Sequence, residues 1–191
     1  IPLVAVTTDR LEAIAQAKLD DGASTARANR MLAVIRSILR CAANQWDWLD
    51  KPPVVRLFVE CKRRIRWLTH EEAERLLAAL PPHLAAIVGF ALAAGLRESN
   101  ITGLEWSQVD IERRIAWIHP DQAKARKAIT VPLNAEAVLI LRRQLGQHAR
   151  WVFTYQGNRV TRANNHAWRK ALKRVRIQDF RFHDLRHTWA S

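Results

Sequence analysis

The sequence predicts a mainly α chain that carries a small antiparallel β-sheet, an α+β fold. Three observations carry that prediction. Apolar residues recur at helical spacing behind side chains suited to capping helices, from Thr8 onward. The stretch 83–94 is apolar nearly all round, which marks a helix buried among other elements. Two stretches, 111–118 and 128–133, alternate apolar and polar residues and are rich in β-branched types, so they read as strands.

Taken in order, Thr8 caps a first helix with Leu11, Ile14, Ala15 and Leu19 on one side, and Asp20, Asp21 and Gly22 stop it. Ser24 or Thr25 opens a longer helix whose buried side holds Ala28, Met31, Leu32, Ile35, Ile38, Leu39 and Ala42. Arg27, Arg30, Arg36 and Arg40 cover the rest of it, a surface suited to DNA phosphates. Trp46 and Trp48 close this helical unit. Pro52 and Pro53 then break the helix, leaving 54–60 extended or irregular. The basic run 61–66, with Lys62, Arg63 and Arg64, reads as an interdomain linker following a DNA backbone.

Thr69 and Glu72 make a capping box that starts a new domain. Leu76, Leu77 and Leu80 form its first stripe, Pro81 and Pro82 end that helix, and the buried helix 83–94 stops at Gly95. Arg97 therefore stands where a core element surfaces into the next helix, a rigid mount for a functional cation; its near neighbour Glu98 is the obvious ion-pair partner. Between the two strands lies a basic loop with Lys124 and Lys127. Asn134 caps a helix through Gln144, residues 151–155 suggest a short third strand, and Asn164 or Asn165 begins a helix with Trp168, Leu172 and Val175 inside. Arg169, Lys170, Lys173, Arg174 and Arg176 give it another basic surface. In the last segment His183 and Arg186 are three apart, on one face of a helix. Arg offers a fixed fork to two phosphate oxygens and His can move a proton near neutral pH; alone, such a pair is far more often a solvated helix start.

Charge narrows the function. The 191 residues include 31 Lys and Arg against 18 Asp and Glu, a formal net charge of +13. Such an excess concentrates phosphate polyanions around the chain, so nucleic acid is the expected partner. No run of about 18 apolar residues exists, which excludes a membrane-spanning helix, and there is no basic amphipathic anchor. Cys41 and Cys61 are the only cysteines and form no C-x-x-C pair, so neither a disulfide scaffold nor a zinc ribbon is expected. The chain starts at Ile1 and stops abruptly at Ser191, the pattern of a piece cut at both ends.

Gly95-Leu96-Arg97, the Lys124 hairpin ending in Val131-Pro132-Leu133, and His183-Asp184-Leu185-Arg186-His187-Thr188 together resemble the catalytic domain of the tyrosine recombinases, the phage integrase family. The resemblance covers 67–191. Residues 1–60 resemble the trailing part of that family's all-α, SAM-like core-binding domain, with 61–66 as the linker. It implies a site-specific recombinase of phage or prophage, in which a tyrosine attacks a DNA phosphodiester to give a 3′-phosphotyrosyl intermediate and a free 5′-hydroxyl.

Arg97 and Arg186 would hold the non-bridging oxygens, Lys124 would protonate the leaving 5′ oxygen, and His183 would assist proton transfer or bind the phosphate. Neither metal nor other cofactor is implied. Arg27, Arg30, Lys62, Arg63, Arg64, Lys127, Arg169 and Lys173 are the expected DNA contacts. The partner is double-stranded DNA bearing an attachment-type site, with a homotetramer on DNA for the intact protein, a monomer for this piece, and a bacterial cytoplasmic setting.

Two features depart from the family pattern. Asn100 stands where an acidic residue is usual, so Arg97 is expected to be oriented by Glu98 or a neutral amide. The family's nucleophile lies downstream of His-x-x-Arg, whereas the only tyrosine is Tyr155, in a predicted strand, where a structural role is expected. As written the piece is expected to bind DNA without cleaving it. Two rivals stand beside this reading: a non-catalytic DNA-binding or regulatory protein of the same fold, and a metal hydrolase built on His183, His187 and Asp184.

Overall fold

The computed structural model describes residues 3–60, 66–123 and 126–191. Two units divide the chain, Ile1–Arg63 and Arg64–Ser191. In the first, helix α1 (Thr8–Asp20) is capped by Thr7, one residue earlier than expected, whose hydroxyl accepts from Arg10 N. Helix α2 (Thr25–Asn44) is capped by Ser24 through Arg27 N. Leu11 and Ala15 of α1 and Ala28, Leu32, Leu39 and Ala42 of α2 are buried. The alanines let the two helix backbones approach closely.

Ile14 and Ile38, expected inside, are 48% and 50% exposed. Each of these helices has an apolar stripe wider than the partner beside it can cover. Trp46 and Trp48 pack on each other with centroids 4.7 Å apart, yet both stay half-exposed. After the two prolines the irregular segment is pinned by one side chain. Buried Asn29 donates to Phe58 O (2.9 Å) and Glu60 Oε1 (2.7 Å) and accepts from Phe58 N (2.8 Å).

The second unit is mainly helical around a small antiparallel sheet. Helix α3 (His70–Ala79) starts at the capping box of Thr69 and Glu72. Helix α4 (Pro82–Ala94) has Pro at its first position and runs through the centre, with Leu84, Ile87, Val88, Phe90 and Ala91 all at most 1% exposed. Each such large side chain contributes about 1.5–3 kcal/mol relative to exposure. A short helix α5 (Glu98–Thr102) and a 3-10 turn (Trp106–Gln108) lead into the sheet.

Strands β1 (Val109–Asp110), β2 (Ile115–Ile118) and β3 (Ile129–Pro132) pair in that order, all antiparallel, with Ile118 opposite Ile129. The predicted strand 111–118 is therefore split. Asp110 Oδ1 accepts from Arg113 N and Arg114 takes a positive φ of 55°, which folds 111–114 into a turn. Helix α6 (Ala135–Gln144) is capped by Asn134. The predicted third strand shrinks to β4 (Thr154–Tyr155), which pairs with β5 (Asn158–Arg159) as a separate hairpin, while Trp151 makes an isolated bridge to Glu105. Helix α7 (His166–Arg174), capped by Asn165, buries Trp168 against Phe182, and helix α8 (Asp184–Trp189) follows.

Candidate functional site

The site grows from the exit of α4. Gly95 closes that helix in the left-handed conformation, φ 63° and ψ 17°. A Cβ there would sit 2.9 Å from Trp189 Cε2 and nearer still to Cδ2 and Cε3. Only a glycine lets the indole at the end of α8 lie against this turn, two residues before Arg97. At the same end of α8, Thr188 Oγ1 accepts from Leu68 N (3.1 Å) and donates to Asp184 O (3.0 Å). At the other end Asp184 Oδ2 accepts from Arg181 N (2.8 Å). Leu185, 1% exposed, anchors the helix in the core.

Arg97 caps α5 in an extended conformation and is half-buried, as is Arg186 on α8, while His183 is the residue preceding α8. Their mutual placement shows in the imidazole. Although His183 as a residue is exposed, its ring is partly desolvated, and that burial is the main cause holding its pKa below the ordinary value. The neighbouring His187 ring, edge-on with centroids 5.5 Å apart, adds to the depression, Asp184 opposes it, and the guanidiniums of Arg186 and Arg97 add to it further. One imidazole thus lies in the field of both arginines. Near neutral pH it is uncharged and able to accept a proton.

Among the described residues no carboxylate lies within 4.0 Å of either guanidinium, and neither donates a hydrogen bond to a protein acceptor. The expected partner is engaged elsewhere. Glu98 Oε1 accepts from Ala163 N and Asn164 N, both at 2.7 Å, so the pairing with Arg97 read from sequence is corrected. Two half-buried cations in the field of one imidazole thus lack internal compensation among the described residues, an arrangement suited to a phosphate.

Lys124 lies outside the described residues, as do Lys62, Arg63 and Arg64. The turn before Lys124 is tied to α5, because Asn100 Nδ2 donates to Gln122 O (3.0 Å). The amide of Asn100 thus reaches that turn; no bond from it to the Arg97 guanidinium is present among the described residues. Lys127 is exposed in the hairpin, Arg27 and Arg30 are exposed on α2, and Arg169 and Lys173 are exposed on α7.

Tyr155 does not join the cluster. Its ring stacks on His83, centroids 4.1 Å apart, at the start of α4. Twelve residue steps of helix lead from His83 to Gly95, a rise of roughly 18 Å. Burial lowers the His83 pKa. The two contacts that aim α8, Trp189 on Gly95 and Thr188 on Leu68, had no local sequence signal, nor did the reach of Asn100. Among the described residues no three His, Cys, Asp or Glu side chains converge as metal ligands. Among the described residues no helix is long and apolar enough to cross a membrane.

Comparison with known proteins adds family and fold. The profile of the phage integrase family matches residues 66–191. The integrase of Salmonella phage P22 is 46% identical over 173 residues, spanning 84% of this chain and 45% of the phage protein. A shufflon-specific DNA recombinase of Escherichia coli is 32% identical over 162 residues, 82% of this chain and 40% of that protein. The chain thus spans less than half the length of either relative.

Among solved structures, the Tn1549 transposon integrase in complex with a circular intermediate DNA superposes with a TM-score of 0.84 at 17% identity, covering 97% of this chain and 72% of that one. A lambda integrase dimer bound to a COC′ core site gives 0.80 at 20% identity, covering 99% and 74%. At these identities the superpositions establish the fold, that of the tyrosine recombinase catalytic domain.

Proposed function

This chain belongs to the phage integrase family, and from that premise we propose that it forms the phosphate-holding part of a site-specific DNA recombinase. The observation that carries the reading is that Arg97 and Arg186, without a carboxylate partner among the described residues, both act to lower the pKa of one imidazole, His183.

The chemistry follows from charge. In transesterification a tyrosine oxygen bonds to the scissile phosphorus, the P–O5′ bond breaks, and a 3′-phosphotyrosine and a 5′-hydroxyl result. Negative charge grows on the non-bridging oxygens of the pentacoordinate transition state, so fixed guanidiniums on them stabilise it more than the ground state. His183, uncharged near neutral pH, binds the phosphate or takes up the proton that the attacking hydroxyl loses. Lys124 gives a proton to the departing 5′ oxygen, a role resting on its place before Val131-Pro132-Leu133 in the family pattern. The nucleophile in this reading is a tyrosine beyond Ser191 in the full-length protein, since Tyr155 is stacked on His83.

Residues 1–60 act as the trailing part of a core-binding domain. The exposed arginines of α2, with Arg169 and Lys173 of α7 and Lys127 of the hairpin, lie against the duplex backbone. Lambda integrase has been solved as a tetramer bound to a Holliday junction; the same assembly on an attachment-type site is proposed for the intact protein here.

The test is a covalent protein–DNA adduct formed by the full-length protein on a nicked suicide substrate. Arg97→Ala and Arg186→Ala should each lower adduct formation by about 100-fold or more while duplex binding persists. A full-length protein that binds the same duplex and never forms an adduct would instead be the non-catalytic binder of the same fold.

A further inference from the structure

We propose that Asn100 is a positioning residue: its neutral amide tethers the turn that precedes Lys124 to the helix that opens at Arg97. The inference deepens the recombinase reading and rests on it for the role of Lys124. The tether itself stands on described residues alone.

Asn100 is 4% exposed. Its backbone N–H donates to Arg97 O (3.0 Å) and its side-chain Nδ2 donates to Gln122 O (3.0 Å). One residue thus links the main chain of the Arg97 junction to the main chain of the hairpin turn. A second amide grips the same residue from another side. Gln108, 1% exposed, donates from Nε2 to Gln122 Oε1 (2.8 Å) and to Trp117 O (3.0 Å). The turn it holds is closed by Gln122 N and Ala123 N, both donating to His119 O at 3.1 Å, and Arg126 N donates to Ala123 O at 2.9 Å. Lys124 is two residues beyond Gln122, so covalent geometry alone keeps their Cα atoms within about 7 Å.

The residue type matters because a main-chain carbonyl only accepts. Position 100 has to donate. Asn does so at every pH, whereas an ionised Asp, the kind of residue usual here in the family, offers only acceptors and would set two oxygens against each other in a buried place. A protonated Asp could donate again. Neutrality also suits the chemistry: the same loop carries Arg126 and Lys127 in sequence, and the phosphate site already holds Arg97 and Arg186. An amide holds such a loop without subtracting positive charge from a phosphate site, as a carboxylate would.

Two measurements on Asn100→Asp test this. In the 191-residue chain near neutral pH, hydrogen exchange at Gln122, Ala123 and Arg126 should quicken while that of α4 stays as it was. The protection should return as pH falls and the new carboxyl protonates. In the full-length protein, adduct formation on an ordinary suicide substrate should fall by about 100-fold, the scale of a lost general acid, with duplex binding unchanged. A substrate with sulfur in place of the bridging 5′ oxygen needs no proton on its leaving group, so on it the variant should cleave almost as fast as the parent protein.

Unchanged exchange in the turn, or equal losses on the oxygen and sulfur substrates, would overturn the tether. Failure of the unsubstituted full-length protein to form adduct on either substrate would instead sink the recombinase reading, leaving the exchange result to decide the tether. Asn100→Leu, unable to donate at any pH, should show the same exchange defect with no recovery in acid.

Discussion

Replacing Gly95 by Ala tests how α8 is aimed at the phosphate site. Two effects add. The residue sits at φ 63°, where a Cβ costs about 1–2 kcal/mol. The new methyl would also lie inside 3.0 Å of three indole carbons of Trp189. Ordinary carbon contacts lie near 3.5–4.0 Å, so the farthest of the three must retreat by at least about 0.6 Å and the others by more. Overpacking of that kind costs roughly 1–3 kcal/mol.

A total near 3 kcal/mol lowers the melting temperature of a chain this size by about 6–12 °C. Displacing α8 by even about 1 Å from productive geometry is worth about 100-fold in rate, so adduct formation by the full-length protein should fall far more than its stability implies. Trp189 is 50% exposed and can swing outward. Removing it separates the two effects: Gly95→Ala with Trp189→Ala should regain the steric part of the loss and keep the backbone part. Thermal denaturation and adduct assays on these two variants and the parent give the answer. If Gly95→Ala melts and cleaves as the parent does, or if trimming Trp189 restores nothing, the indole does not set the position of α8.

Other expectations follow from the same geometry. The His183 ring protons should titrate below the ordinary histidine value in NMR, and bound phosphate should move the midpoint upward. Because its folded pKa is lowered, His183 contributes stability that is complete above the ordinary value and is lost as pH falls through the lowered one, so denaturation midpoints should drop in that acid range. Inorganic phosphate at about ten times its dissociation constant should stabilise the chain by about 1.4 kcal/mol at fixed ionic strength, an increment that should vanish in the Arg97→Ala, Arg186→Ala double variant. In the first unit, Asn29→Ala removes three hydrogen bonds from the segment around Phe58; a loss of about 2–3 kcal/mol and faster proteolysis between residues 52 and 60 are expected.

What could be read from sequence was what short-range physics decides. Ser24, Thr69, Asn134 and Asn165 cap helices where their hydroxyls and amides reach an N–H three residues on, a relation visible in the letters. The all-apolar stretch before Gly95 could only be a central helix. The strands were blurred because β-branched residues on either side of 112–114 mask a turn that Asp110 imposes by accepting from Arg113 N. Long-range contacts left no trace: Leu68 and Thr188 are 120 residues apart and share one hydrogen bond with no periodicity to announce it. Glu98 misled for a related reason. Adjacency to Arg97 suggested an ion pair, yet its carboxylate serves two amides of a distant loop at 2.7 Å.

That diversion of Glu98 is informative when set beside the other arginines. Some other guanidiniums of the chain do have carboxylate partners: Arg66 with Glu72 at 2.6 Å, Arg150 with Glu105 at 2.8 Å, Arg56 with Glu12 at 3.2 Å. Burial strengthens the case for pairing, since a desolvated cation without a partner is the costly kind. Yet Arg97 and Arg186 are half-buried and, among the described residues, uncompensated, while the acids nearest them in sequence are turned to backbone amides. Such positions lower the stability of the unliganded chain. They persist where an external anion supplies the missing charge, and a phosphodiester offers two non-bridging oxygens to two guanidiniums.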